Sequence, residues 1–181
     1  MRLLYKSLIF LCCCFLIFSA CKEVEVDVDY EFLTVDNFII PQLPVEGIPI
    51  VFDTPTFETN SESVFAENNT TADKIERIRL VSMELIITSP EDANFNFLKN
   101  ISFKIGAQGL SLVQIAFKND IPDNAMKNLL MEVTQTDLKN YLKKDKIYLN
   151  IELLTDQPTD FEIEVEVRMK YLVEAKVILN E

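Results

Sequence analysis

Residues 161–179 read FEIEVEVRMKYLVEAKVIL, and this stretch decides the fold. Phe161, Ile163, Val165, Val167, Met169, Tyr171, Val173, Ala175, Val177 and Leu179 share one parity, while Glu162, Glu164, Glu166, Arg168, Lys170, Glu174 and Lys176 take the other. Side chains along a β-strand alternate between faces, so this spacing predicts a strand with one face on a core and one in water. Strands usually run about 3–10 residues, so one this long must bend, carry a bulge or pass between two sheets. Leu172 and Ile178 break the polar parity and mark where cover of the second face begins.

The same pattern recurs near the other end. Val24, Val26, Val28, Tyr30 and Phe32 alternate with Glu23, Glu25, Asp27, Asp29 and Glu31, the signature of an antiparallel strand with one wet face. Between these ends, alternation predicts strands over 77–88, 101–105, 113–117, 129–133 and 147–153. Turn chemistry separates them at residues 89–92, 119–124 and 155–158, where Pro, Asp, Asn and Ser gather. Two short stretches read as helical. Thr136 can cap residues 137–144, whose Leu138, Tyr141 and Leu142 lie at helical spacing, and Ser89 with Asp92 resembles a capping box opening a single turn. Residues 36–57 carry Pro41, Pro44, Pro49 and Pro55 and read as extended, edge-like chain, and residues 60–73 as a mobile polar loop. Seven or more short strands with one short helix predict an all-β protein. The architecture expected is an antiparallel β-sandwich, Ig-like in general form, over a single domain at residues 24–181.

Composition narrows the function classes. The chain has 181 residues, with no His, no Trp and three Gly. Without His it lacks the usual general base, proton shuttle and commonest metal ligand. A Ser–Lys pair could replace a His-based nucleophile, but no nucleophile-elbow or Ser-x-x-Lys spacing occurs. Three scattered glycines build no phosphate loop, and a net charge of −12 excludes the basic stripe that a nucleic-acid surface needs. Paired carboxylates arise by chance among 29 acids and carry almost no weight for glycoside hydrolysis. No cofactor is expected.

The first 20 residues contain Arg2, Lys6 and no acid, then an apolar run broken only by Ser7 and Ser19. A basic start, a short apolar centre and small residues before a cut describe a cleaved signal peptide, the run being too short to span a bilayer. Phe18-Ser19-Ala20-Cys21 resembles the lipobox of bacterial lipoproteins, with Phe18 standing where Leu is commonest. The resemblance implies cleavage after Ala20 and a diacylglycerol, usually with a further palmitate-type chain, on Cys21. Two or more acyl chains anchor a protein firmly where one does not. Cys12, Cys13 and Cys14 fall in the discarded segment, so a mature chain would hold no free thiol. Lys22 and Glu23, followed by further acids, resemble the surface-export signal of Bacteroidetes-type lipoproteins. The other reading of those acids is the solvated face of a strand. Residues 21–23 are thus expected to form a lipidated N-terminus with an export signal, on a body like that of uncharacterised β-sandwich lipoproteins.

Charge is uneven: residues 22–73 hold 12 acids against one base, while residues 74–181 hold 17 acids and 14 bases. An acidic membrane-proximal third is repelled by an anionic bilayer, so the body should stand off it. One constellation could hold a metal. Asn119, Asp120, Asp123 and Asn124 offer oxygen ligands to Ca²⁺, with Asp120 and Asp123 the carboxylates, although a turn closed by Asx hydrogen bonds and a proline-fixed φ is the preferred reading of the same residues. The expected function is a lipid-anchored protein of the bacterial outer membrane, exposed at the surface or facing the periplasm. It would bind or build, with a protein partner in an envelope complex, and not catalyse. The alternative is a small-ligand or Ca-dependent enzyme or binding protein on the same sandwich. Perturbed carboxylates around a concave pocket would favour that alternative. A long unpaired C-terminal edge strand or a large apolar patch would favour partner binding by strand addition.

Overall fold

The computed structural model of the protein describes residues 24–43 and 46–179. Cys21, Lys22 and Glu23, with the whole signal segment, lie outside the described residues. No helix among the described residues is long and apolar enough to cross a membrane.

The alternating stretches form the strands that hydrophobic periodicity demands, and the protein is an all-β sandwich of two antiparallel sheets. In chain order the strands are β1 (Val24–Ile40), β2 (Ile50–Asp53), β3 (Phe57–Glu58), β4 (Ile75–Ser89), β5 (Leu98–Ala107), β6 (Val113–Lys118), β7 (Asn128–Leu130), β8 (Glu132–Val133), β9 (Lys146–Thr155) and β10 (Ile163–Leu179). One sheet has the order β1-β10-β4-β7; the other has β2-β9-β5-β6-β8, with β3 also paired to β9.

The long C-terminal strand stays in one sheet, at its centre. Its inward row, from Ile163 through Val165, Val167, Met169, Tyr171 and Val173 to Ala175, is at most 2% exposed. Its length is accommodated by three register shifts against β4. Met83, Leu85 and Ile78 of β4 meet that row from one sheet, and Phe103, Ile105, Leu149 and Ile151 close it from the other. Phe38 on β1 touches Phe103 of the facing sheet edge-on, at 6.0 Å between ring centroids and 72°.

The segment expected as one strand at 129–133 splits between the sheets. Leu129 pairs with Leu85 in the first sheet and Val133 with Ala116 in the second. Met131, between them, is buried and donates its backbone N–H to Met83 O at 2.9 Å.

Several local expectations are corrected. Residues 60–73 contain a helix, α1 (Ser61–Glu67), because Phe65 finds a fully buried place and Asn68 Nδ2 closes the end on Val64 O at 2.8 Å. The helix near Thr136 is shorter than read, α2 (Lys139–Leu142), with Leu138, Tyr141 and Leu142 buried as their spacing required. Its first-turn cap comes from Asp137, whose Oδ1 accepts from Lys139 N at 3.0 Å, while Thr136 Oγ1 turns away towards Gln114 O. Ser89 opens no helix: it ends β4, and the helical turn forms later at Phe95–Phe97, capped by Asn94. Finally, the extended chain expected over residues 36–57 is divided: its first residues continue β1, which ends only before Pro41, and Ile50–Asp53 form β2 at the edge of the other sheet.

Candidate functional site: the free edge of β1

β1 lies at the edge of its sheet, paired to β10 alone among the described residues. All 17 of its residues, from Val24 opposite Leu179 to Ile40 opposite Ile163, pair in unbroken register. Natural sheets blunt an edge with prolines, bulges, charges or a covering element. β1 has no proline, and its ladder has no bulge. Its charges guard only one half.

In the first half, the outward row is Glu25, Asp27, Asp29 and Glu31. Register sets Lys176 opposite Asp27 but Glu174 opposite Asp29, and Glu31 Oε2 reaches the diagonal Lys170 Nζ at 3.1 Å. Lys74 holds Glu25 at 2.6 Å and keeps its carboxyl below the usual range. The acid row is therefore a solvated strand face stitched to its neighbours.

In the second half the hydrophobic parity inverts while the strand runs on. Leu33, Val35 and Ile39 point outward and are 57%, 49% and 51% exposed. Thr34 and Asp36 take the inward row instead, between Phe32 and Phe38. Thr34 Oγ1 is enclosed without a hydrogen-bond partner, and so is Tyr30 Oη two places further along the same inward row on the other side of Phe32. Burial holds the Asp36 carboxyl above the usual range and pushes the Tyr30 phenol up to about 12. Phe32 stacks on Tyr171 at 5.0 Å, and the Tyr171 hydroxyl turns to Met169 Sδ at 3.2 Å. Burial raises that phenol too, with Thr34 nearby opposing the shift and Asp36 adding to it. A local pattern broken without a packing reason is where function is to be sought.

Beside this half lies a cleft of about 390 Å³ between the free edges of the two sheets. Phe38 and Ile39 of β1 form one wall, Phe52 and Pro55 the other, with Asp53 and Glu164 at the rim. β2 covers only the four residues that pair with Leu153 back to Asn150, which is why the sandwich stays open there. Asp53 Oδ1 accepts from Asn150 Nδ2 at 2.7 Å. The cleft is thus an apolar slot with a carboxylate rim, not a set of convergent catalytic groups.

The other sequence-derived site residues are not gathered with these. Asp120 and Asp123 sit in an exposed loop pinned by buried Ile121, and Asp120 N donates to Asn100 Oδ1 at 3.0 Å. Asp120 takes φ 51°, a left-handed turn conformation that Asp tolerates better than most residues. Among the described residues no three or more His, Cys, Asp or Glu side chains come together as a metal site. The C-terminal strand is not an unpaired edge: β10 is central, and the long free edge among the described residues is that of β1. Leu33, Val35 and Phe52 were not singled out from sequence. The inverted parity of residues 33–36 was the available signal.

No protein-family model matches the chain, and no curated protein matches it. Among solved structures, a chain titled Desmodium yellow mottle tymovirus is similar over 90% of this chain and 94% of that one, at 10% identity and a TM-score of 0.29. A likeness that slight carries no argument about this chain.

Proposed function

We propose that this protein is a lipid-anchored module of the bacterial cell envelope that acts by binding a protein partner along the free edge of β1. The observation that carries the binding role is a 17-residue edge strand, unbulged and proline-free, whose second half turns apolar side chains outward. Such an edge offers a row of main-chain donors and acceptors for affinity, and the adjoining cleft offers side-chain selectivity. The anchor rests on Phe18-Ser19-Ala20-Cys21, and outer-membrane surface display on Lys22 and Glu23. β1 begins three residues after Cys21, so an acyl anchor there would keep this edge close to the bilayer.

Three experiments test the reading. Acyl labelling of cells should mark the wild-type chain and not Cys21→Ser; label retained in the variant would remove the anchor. A photo-crosslinking residue at position 35 should yield adducts in intact cells where one at Leu130, a still more exposed position on β7, yields none. Absence of any adduct from position 35 would remove the binding role. Replacing Lys22 and Glu23 by Ala should protect the domain from external protease, and unchanged cleavage would remove the export signal.

A further inference from the structure

We infer that the strand completing the β1 edge is β1 of a second copy, running antiparallel about a two-fold axis at Val35 and seating its Phe32 beside Phe38 in the cleft. This names the partner for the binding role proposed above and rests on it.

The argument is one of self-complementarity. In an isologous pair related by a two-fold axis normal to the sheet, residue i faces residue j and j faces i, and opposed residues share a face. Only axes centred on a residue are then allowed. Centred on Val35, the outward row sets Val35 against Val35 at the axis, Leu33 against Asn37 and Glu31 against Ile39, so that no two acids of the outward row face each other. On the inward row Thr34 of each copy falls opposite Asp36 of the other. Thr34 Oγ1 has no well-formed hydrogen bond within its own chain, its one close hydroxyl neighbour there being Tyr171, whose own proton turns to Met169 Sδ. A hydroxyl donor and a carboxylate acceptor therefore meet twice by symmetry.

The next inward pair sets Phe32 opposite Phe38, at the cleft whose far wall is Phe52 and Pro55. Phe32 is only half-buried on its own chain, so it has apolar surface left to cover. Charge selects this register over its neighbours. Centred on Asp36, the two Asp36 carboxylates would face each other. Centred on Leu33, Asp27 and Asp29 would flank the cleft, whose rim already carries Asp53 and Glu164. Centred on Thr34, Asp36 would face Phe32 with no donor. With Val35 at the centre, Glu31 is the one outward acid set beside the cleft, opposite Ile39, against two in the Leu33 register, and Asp29 meets Pro41 at the end of the overlap.

The test is sedimentation equilibrium of the full chain in density-matched detergent, with and without Val35→Glu. The wild type should approach twice the chain mass as concentration rises. The variant sets two carboxylates opposite each other at the axis and should bind itself at least ~10-fold more weakly, at unchanged circular dichroism. Leu130→Glu should change nothing. A photo-crosslinking residue at position 35 should link, in the dimer, to the peptide carrying residues 33–37. One chain mass at every concentration would overturn the second copy as partner. Self-association equally sensitive to Leu130→Glu, or a crosslink to any other peptide, would also overturn it. The binding role fails separately, if position 35 gives no adduct of any mass in intact cells.

Discussion

β1 and β10 are a matched pair: each has 17 residues, each alternates, and they lie antiparallel in unbroken register. Yet β10 buries its inward row from Ile163 to Val177, while Val28, Tyr30 and Phe32 of β1 are only partly covered. The ladder of β10 to its other neighbour, β4, has three register shifts, with Glu76, Val81 and Thr88 the extra residues on the equally central β4, while the ladder of β1 to β10 has none. The difference is position. A central strand must follow two neighbours whose twists differ, and bulges absorb the mismatch. An edge strand follows one neighbour and stays regular, which leaves it a ready template for another chain.

The comparison can be broken most sharply on β10. Met169 is fully buried between Thr34 of β1 and Met83 of β4, so Met169→Ala should cost about 2–5 kcal/mol in chemical denaturation. The outward Val35→Ala on β1 should stay within about 0.5 kcal/mol. A similar loss at both positions would erase the distinction between centre and edge. Phe32→Ala sits between these extremes, because its ring is half-buried and stacked on Tyr171; a loss of about 2 kcal/mol is expected by the same measurement.

A smaller effect separates the two halves of β1. Burial raises the Asp36 carboxyl, so the folded chain holds that proton more tightly than the unfolded chain. Its contribution to stability is then full below the unfolded carboxylate value of about 3.9 and is lost as pH rises through the folded value. Asp36→Asn should remove that decline, giving a melting temperature above wild type near pH 7 and no advantage near pH 3, measured where the chain is monomeric. The outward acids behave oppositely. Lys74 lowers the Glu25 carboxyl, so its small contribution is present above the unfolded value and fades as pH falls. As an exposed pair it is weak, and Glu25→Gln should leave the denaturation midpoint almost unmoved.

The sandwich was legible wherever polar and apolar residues alternate cleanly, as in residues 161–179 and 24–32. It was not legible over residues 33–40, where Leu33 and Val35 face out and Thr34 and Asp36 face in, so period-2 reasoning sees no consistent apolar face. The strand persists because its ladder to β10 continues through backbone hydrogen bonds that do not depend on side-chain polarity. The helix Ser61–Glu67 escaped for a different reason: one aromatic, Phe65, anchors an otherwise polar run, and tertiary burial decides its state. The candidate site lay in the stretch whose pattern failed. The acids before it were readable as a strand face, and that reading places them at the outward register positions opposite β10.

The most direct test of β1 as a free edge is residue-resolved amide hydrogen exchange of the full chain, dilute enough to be monomeric. Along residues 33–39, alternate amides should exchange fast, those pointing away from β10, while amides along Val165–Val173 stay slow throughout. Uniformly slow exchange along 33–39 in the monomer would show that this edge is already covered, and would contradict the account.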